Sequence, residues 1–305
     1  MEMRVRFLLL LAVACSALAG AASAQVAAPF LNPVPLFNAA PSNPAVLSWD
    51  VPSRLAAAYT SVKFEDALGA SIGDGNVQGV LGQYVGETLA LGAAGAKLDV
   101  DIAGGGKLIE RFSTLQAALK VGEWLSIGLG QGVDKRSDPS GEQKSSEALA
   151  GLTLRLGSIF YLGAVSGTDT VGKGTAPPLV EGDRHLTRYG AGIRWVGPSA
   201  ALHLEAFNEH RAGIVSPLPV ESQTIRGGTL EMRLGRIGIS YTTRDLQLID
   251  ETTGVLNMSQ KIKTASLAYV PEHGLALSIG TARQAGTGGG PGKGTFSSIG
   301  AAWLF

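Results

Sequence analysis

The chain has 305 residues, 42 of them glycine and one cysteine, and its 25 acidic and 25 basic side chains balance to zero. A nucleic-acid partner shows itself as a basic excess or stripe, and neither is present. A single cysteine excludes an internal disulfide framework, and no segment approaches the roughly 18 uninterrupted apolar residues that mark a transmembrane helix.

The first predicted element is an export signal over residues 1–24. Arg4 and Arg6 precede the apolar run from Phe7 to Ala14, and Ala22-Ser23-Ala24 forms a small-residue cleavage site, so cleavage is expected before Gln25. The apolar run is too short to cross a bilayer, which takes about 20 helical residues. Cys15 raises the rival of a lipoprotein site, but Ala12 stands where such sites carry leucine. With Cys15 removed, stability must come from backbone pairing and burial. For such a chain the only membrane architecture left is a closed barrel, in which every backbone polar group is satisfied internally.

Residues 25–52 do not alternate and contain Pro29, Pro33, Pro35, Pro41, Pro44 and Pro52. Proline donates no ladder hydrogen bond, so this stretch is not an interior strand. The alternatives are a disordered periplasmic leader and a small plug; Phe30, Leu31, Phe37, Leu47 and Trp49 give the segment apolar surface to bury, and it is expected to fold back as the plug inside the barrel of residues 53–305.

From residue 53 onward, apolar and polar or small residues alternate with period two, at the length of a tilted membrane strand, about 9 to 11 residues. Tyr189, Ala191, Ile193 and Trp195 share one face of such a segment, and Arg188, Gly190, Gly192 and Arg194 the other. Strands are expected near 53–64, 77–86, 88–102, 108–120, 123–133, 146–156, 158–167, 184–196, 199–211, 222–234, 235–247, 260–270, 273–284 and 294–305. This describes an all-β, transmembrane, antiparallel barrel of about 14 strands. Twelve is the alternative, because glycine and alanine blur the alternation between Val77 and Gly106. Tight turns fall at Gly86-Glu87, Val121-Gly122-Glu123, Gly157-Ser158, Gly197-Pro198, Gly235-Arg236 and Pro271-Glu272-His273. Longer polar connections are expected near 134–145, 167–183, 212–221, 248–259 and 285–293, the short-periplasmic, long-extracellular pattern of outer-membrane barrels.

Parity assigns faces. Arg54, Lys120, Arg155, Arg194, Arg233 and Arg236 lie near periplasmic strand ends and are expected to point into the lumen. There they either line an anion-favouring mouth or pair with Glu205, Glu231 or carbonyls of the plug. Trp195, Tyr269, Trp303 and Phe305 lie near the same ends on the lipid side and read as part of an aromatic girdle. The final stretch, Thr295 to Phe305, alternates cleanly and stops on an aromatic. It is similar to the closing strand of bacterial outer-membrane barrels, and that likeness implies recognition by the barrel-assembly machinery and contact with outer-membrane lipid.

Catalytic readings are weak. Gly286 to Thr295 has Thr287 where a phosphate-binding loop needs its first glycine, and no helix follows. His203, Glu205 and Glu209 alternate onto the lumen side and His210 onto the other, so they do not converge on a metal. No cofactor signature is present, and no serine–histidine arrangement recommends an enzyme.

Asn43-Pro44-Ala45, followed by Pro52-Ser53-Arg54 and then a strand, resembles the start of the FadL-like outer-membrane transporters of fatty acids and aromatic hydrocarbons. Members carry a signal peptide, an N-terminal hatch with an Asn-Pro-Ala motif and a barrel of the strand number expected here. The resemblance implies passage of a hydrophobic small molecule into the barrel and then sideways into the membrane through a kinked third strand. In this chain Gly92 and Gly95, within Gly92-Ala93-Ala94-Gly95, would form that kink beside Asn43. The chain departs from the family in its shorter hatch and shorter extracellular loops. Three functions therefore stand as expectations: uptake of hydrophobic compounds, a narrow porin-like channel for small polar or anionic solutes, and a structural barrel without transport.

Overall fold

A computed structural model describes residues 43–48, 53–66, 69–103, 105–139, 141–172, 181–216, 221–250, 256–288 and 292–305. The predicted signal peptide and residues 25–42 and 49–52 of the predicted plug lie outside the described residues. The strands are β1 (Arg54–Glu65), β2 (Ser71–Val85), β3 (Leu89–Ile102), β4 (Lys107–Val121), β5 (Leu125–Asp138), β6 (Gly141–Leu156), β7 (Phe160–Val171), β8 (Glu181–Val196), β9 (Ala200–Ser216), β10 (Glu221–Leu234), β11 (Ile237–Asp250), β12 (Leu256–Tyr269), β13 (Gly274–Gly288) and β14 (Lys293–Leu304). Each pairs antiparallel with its sequence neighbours, and β1 closes on β14 from Arg54↔Leu304 to Glu65↔Lys293. The fold is thus a closed antiparallel barrel of fourteen strands, with no open edge left to satisfy.

One rim is built from tight turns of two to four residues; Gly122, Gly157 and Gly235 take φ of 65°, 67° and 57° there. These left-handed conformations cost glycine nothing and a side-chain-bearing residue more. The opposite rim differs from expectation. The stretches near 134–145 and 285–293 are mostly strand, so that β5 and β6 are joined across Pro139 and Ser140 alone. Their polar residues still pair in the ladder. Apolar alternation stops where the lipid-facing band stops, several residues before the hydrogen bonding does.

Along the outer face that band is well defined. It runs from Leu125 to Val133 on β5 and from Leu156 to Ser146 on β6, close to the about 9 to 11 residues needed to cross hydrocarbon. Its lower border at the tight-turn rim is aromatic: Trp195, Tyr269, Trp303 and Phe305 are all exposed there. Tyr84, Trp124 and Phe160 join them, placed by the turns that precede or follow each. With lipid as the outer solvent, these exposed apolar side chains need no further partner.

Candidate functional site

The inward-facing side chains divide the lumen into two sectors. Around the closed order, β12, β13, β14, β1, β2 and β3 are contiguous. Among the described inward-facing residues of those six strands, Arg54 is the single charged one. Val62, Phe64, Val77, Leu98, Val100, Ile262, Ala282 and Phe296, joined by Leu108 of β4, form one buried apolar cluster toward the rim opposite the tight turns. Phe64 and Phe296 meet edge to face at 5.7 Å, a favoured aromatic geometry. Ala56, Ala268, Val270, Ala276, Ala302 and Leu304 form a second cluster near the tight-turn rim. Between the two lie small or hydroxyl-bearing residues: Thr60, Ser266, Ser278 and Ser298 are buried, with Ser298 Oγ donating to the Gly280 carbonyl at 3.0 Å.

The other sector, β5 to β11, is laced with charge. Arg211 lies 2.6 Å from Glu209, 3.4 Å from Glu147 and 3.6 Å from Asp169, so one guanidinium ties β9 to β6 and β7. Arg184 pairs with Asp169 and Arg188 with Glu209, the latter through Nε at 2.7 Å as well. Nearer the tight turns, Arg194, His203 and Glu231 are direct cross-strand neighbours, and His203 approaches Glu205 at 3.5 Å. Arg244 sits over the Phe207 ring at 5.9 Å, a contact that Gly227 permits, since a Cβ there would press on the ring. A charge this deep is stable only when paired and hydrogen-bonded, and cross-strand placement supplies carboxylate partners for Arg184, Arg188 and Arg211.

The Asn-Pro-Ala motif sits against the inner wall between these sectors. Pro44–Ser48 forms a short 3-10 helix touching β2 to β6. Asn43 Nδ2 donates to the Leu152 carbonyl and to Thr153 Oγ1, both at 3.2 Å, while its Oδ1 accepts from the Ala45 amide at 3.0 Å. Ser126 Oγ donates to the Ala45 carbonyl at 2.7 Å. The seat is cut by glycine. Gly128 and Gly151 are register partners, and a Cβ on the first would overlap the Pro44–Ala45 backbone, on the second the Asn43 carboxamide.

The expected kink is absent. β3 keeps unbroken partners on both sides from Ala90 to Lys97, including Gly92↔Gln83 and Gly92↔Gln116. Gly92 is instead a clearance residue, since a Cβ there would lie 3.3 Å from Leu47 of the short helix. Gly95 faces the outer wall in the same unbroken strand. A groove of about 740 Å³ runs along the outer face here, bordered by Tyr84, Leu91, Leu115, Leu129 and Phe305. At Gly92 and Gly130 the wall between this groove and the short helix is one backbone thick.

The six predicted lumen cations do not form one ring. Arg54 and Arg194 are buried and inward, while Lys120, Arg155 and Arg233 are half-buried at the same rim. Arg155 lies over the Tyr161 ring at 5.9 Å and donates to the Gly157 carbonyl. Arg236 is outside the lumen: it is exposed, and its Nη1 donates to the Tyr269 hydroxyl at 3.2 Å on the lipid side. The turn ends strand parity at Gly235, so counting residues misassigned it. The charged lumen sector as a unit was not anticipated; its signal was the alternation of Asp134, Arg136 and Asp138 and of Glu209 and Arg211, in stretches expected to be loops or strand ends.

No family model matches the sequence, and no curated protein does. Solved structures do match in fold. The CymD monoaromatic hydrocarbon channel aligns over 86% of this chain and 91% of its own, at 12% identity and a TM-score of 0.59. A Pseudomonas aeruginosa FadL homologue aligns over 95% and 98%, at 11% identity and 0.55. A bacterial polysaccharide outer-membrane secretin aligns over 84% and 100%, at 9% identity and 0.51. The chain therefore has the fold of the FadL-like barrels. The third likeness shows that this fold does not by itself name a cargo.

Proposed function

We propose that this protein is an outer-membrane channel for hydrophobic small molecules. The observation that carries the reading is the nearly charge-free lumen sector from β12 to β3, with apolar clusters at both ends and small side chains between. A molecule without charge loses little on leaving water for such a surface, at about 25 cal/mol for each Å² of apolar area buried. The tight-turn rim would face the periplasm and the polar rim the outside. The Asn-Pro-Ala turn would act as part of a plug, its release governed by the seat of Gly128 and Gly151. The likeness to the monoaromatic hydrocarbon channel and the FadL homologue agrees with this choice.

A porin-like anion channel is the second reading, favoured by the arginines facing the lumen. Against it, Arg184, Arg188 and Arg211 are engaged with carboxylates, and Lys120, Arg155 and Arg194 also have partners. Two measurements on the purified full-length protein separate the readings. Liposomes containing it should take up an uncharged aromatic probe faster than empty ones, while planar bilayers should show little ion conductance. Steady anion-selective conductance without probe uptake would replace the hydrophobic channel with the porin.

A further inference from the structure

The outer face carries a row of like charges that the barrel only half neutralises. Lys97, Arg111, Lys135 and Lys144 are consecutive cross-strand partners on β3, β4, β5 and β6: Lys97↔Arg111, Arg111↔Lys135 and Lys135↔Lys144. Parity turns all of them outward, and all are partly or fully exposed. Direct partners hold their Cβ atoms about 4.5 to 5.5 Å apart, and like charges so placed repel. Lys97 is offset by Asp99 at 3.1 Å and Lys135 by Glu142 at 2.9 Å. Among the described residues, no acidic side chain forms an ion pair with Arg111 or Lys144. The row therefore carries two uncompensated positive charges, Arg111 and Lys144, on either side of Lys135.

Its height is what gives it meaning. On β4 the outward residues from Val121 to Ser113 are apolar or small and Arg111 follows at once; on β5 Val133 is followed by Lys135, and on β6 Ser146 by Lys144. The cations therefore begin where the apolar band ends, at the level of lipid headgroups rather than of bulk solvent. The aromatic border lies at the other rim, so the two edges of the band differ in side-chain chemistry.

We propose that Lys97, Arg111, Lys135 and Lys144 form a binding row for the phosphate groups of an outer-leaflet lipid. A phosphate monoester carries about −1.5 to −2 charge at neutral pH, which matches the surplus at Arg111 and Lys144. Arginine grips two phosphate oxygens at once, and flanking lysines add point charges. The acyl chains of the same molecule would lie on the apolar band directly below. This inference rests on the outer-membrane reading of the barrel.

Binding of fluorescent lipid A to the full-length protein, in phosphatidylcholine nanodiscs, tests it. The wild type should bind the phosphorylated lipid more tightly than the same lipid dephosphorylated. Each cation near a membrane surface contributes about fivefold in affinity, so Arg111→Ser with Lys144→Ser should weaken binding on the order of 25-fold. Lys263→Ser with Arg283→Ser removes another outward cross-strand cation pair and should leave most of the affinity. Mobility of unheated samples on gels establishes that each variant is folded. Equal binding of both lipids, or equal loss in both double variants, overturns the proposal. Displacement by inorganic phosphate, with no dependence on acyl chains, would mark a free-anion site and also overturn it. Failure of the wild type to enter plain phosphatidylcholine nanodiscs would instead remove the membrane reading beneath it.

Discussion

The wall from β12 to β3 and the wall from β5 to β11 enclose the same lumen by opposite means. The first turns Val62, Phe64, Leu98 and Phe296 inward into one buried cluster and, among the described residues, carries one charge, Arg54; the second presents arginines paired with carboxylates. Both use the same strand geometry, so the difference lies only in which side chains occupy the inward positions. A barrel wall has no second layer to pack against. The charged wall gains rigidity from ion pairs that cross three strand boundaries, and the apolar wall from clustering at its two ends. A cargo that prefers hydrocarbon has one surface to follow, and the opposite wall has reason to stay fixed.

That contrast can be broken most severely from the apolar side. Val62→Asp places an unpaired charge at a buried position and should cost several kcal/mol. Uptake of an uncharged aromatic probe should fall about tenfold or more in whatever protein still folds, as ~1.4 kcal/mol per decade implies; undiminished uptake would remove this wall from the path. On the other side, Arg211→Met takes the shared cation from Glu209, Glu147 and Asp169; Glu209 keeps Arg188 and Asp169 keeps Arg184, while Glu147 loses its ion pair. It should lower stability by about 3 to 5 kcal/mol in denaturant titrations of the detergent-solubilised barrel. Probe uptake per folded molecule should be nearly unchanged. If Arg211→Met abolished uptake as Val62→Asp does, the division of labour between the walls would be lost.

Smaller changes sharpen the boundary between the walls. Gly128→Val cannot be accommodated beside Pro44–Ala45 and should cost about 1 to 3 kcal/mol through overpacking. Single-channel recordings should show raised conductance if the displaced turn had been obstructing the lumen. Asn43→Ala removes the bonds to Leu152 and Thr153 and should cost about 1 kcal/mol or a little more. Faster proteolysis around the motif is the expected readout, and unchanged cleavage would mean that Asn43 does not hold the turn.

Much of the architecture was legible in the chain. Period-two alternation placed most strands, and left the count open only where glycine and alanine blur it between Val77 and Gly106, because lipid outside and water or polar groups inside force successive residues to opposite solvents. The far-rim extensions were not legible. Beyond the membrane both faces of a strand are wet, and residues such as Lys135 to Asp138 lose the alternation while keeping their hydrogen bonds. Asn43-Pro44-Ala45 could be singled out as a motif, but its seat could not: Gly128 and Gly151 look like any of the other glycines until the register sets them side by side. The same holds for Gly92, which reads as a bend in the sequence and serves as clearance in the fold.

By itself the amino-acid sequence determined the class of fold, the approximate positions of the strands and the face of most residues. All of these follow from local geometry: a strand alternates, a turn needs glycine, and each solvent selects its side chains. The tertiary structure alone decided what is adjacent around the barrel. Register brought Arg211 to the carboxylates of two other strands, Glu147 and Asp169, and itself made neighbours of Lys97, Arg111, Lys135 and Lys144. It also gathered the uncharged strands from both ends of the chain into one wall, since β12 to β14 meet β1 to β3 only where the barrel closes. Closure is a long-range hydrogen-bonding event between residues as far apart as Arg54 and Leu304, and nothing in a local window of sequence encodes which wall it will complete.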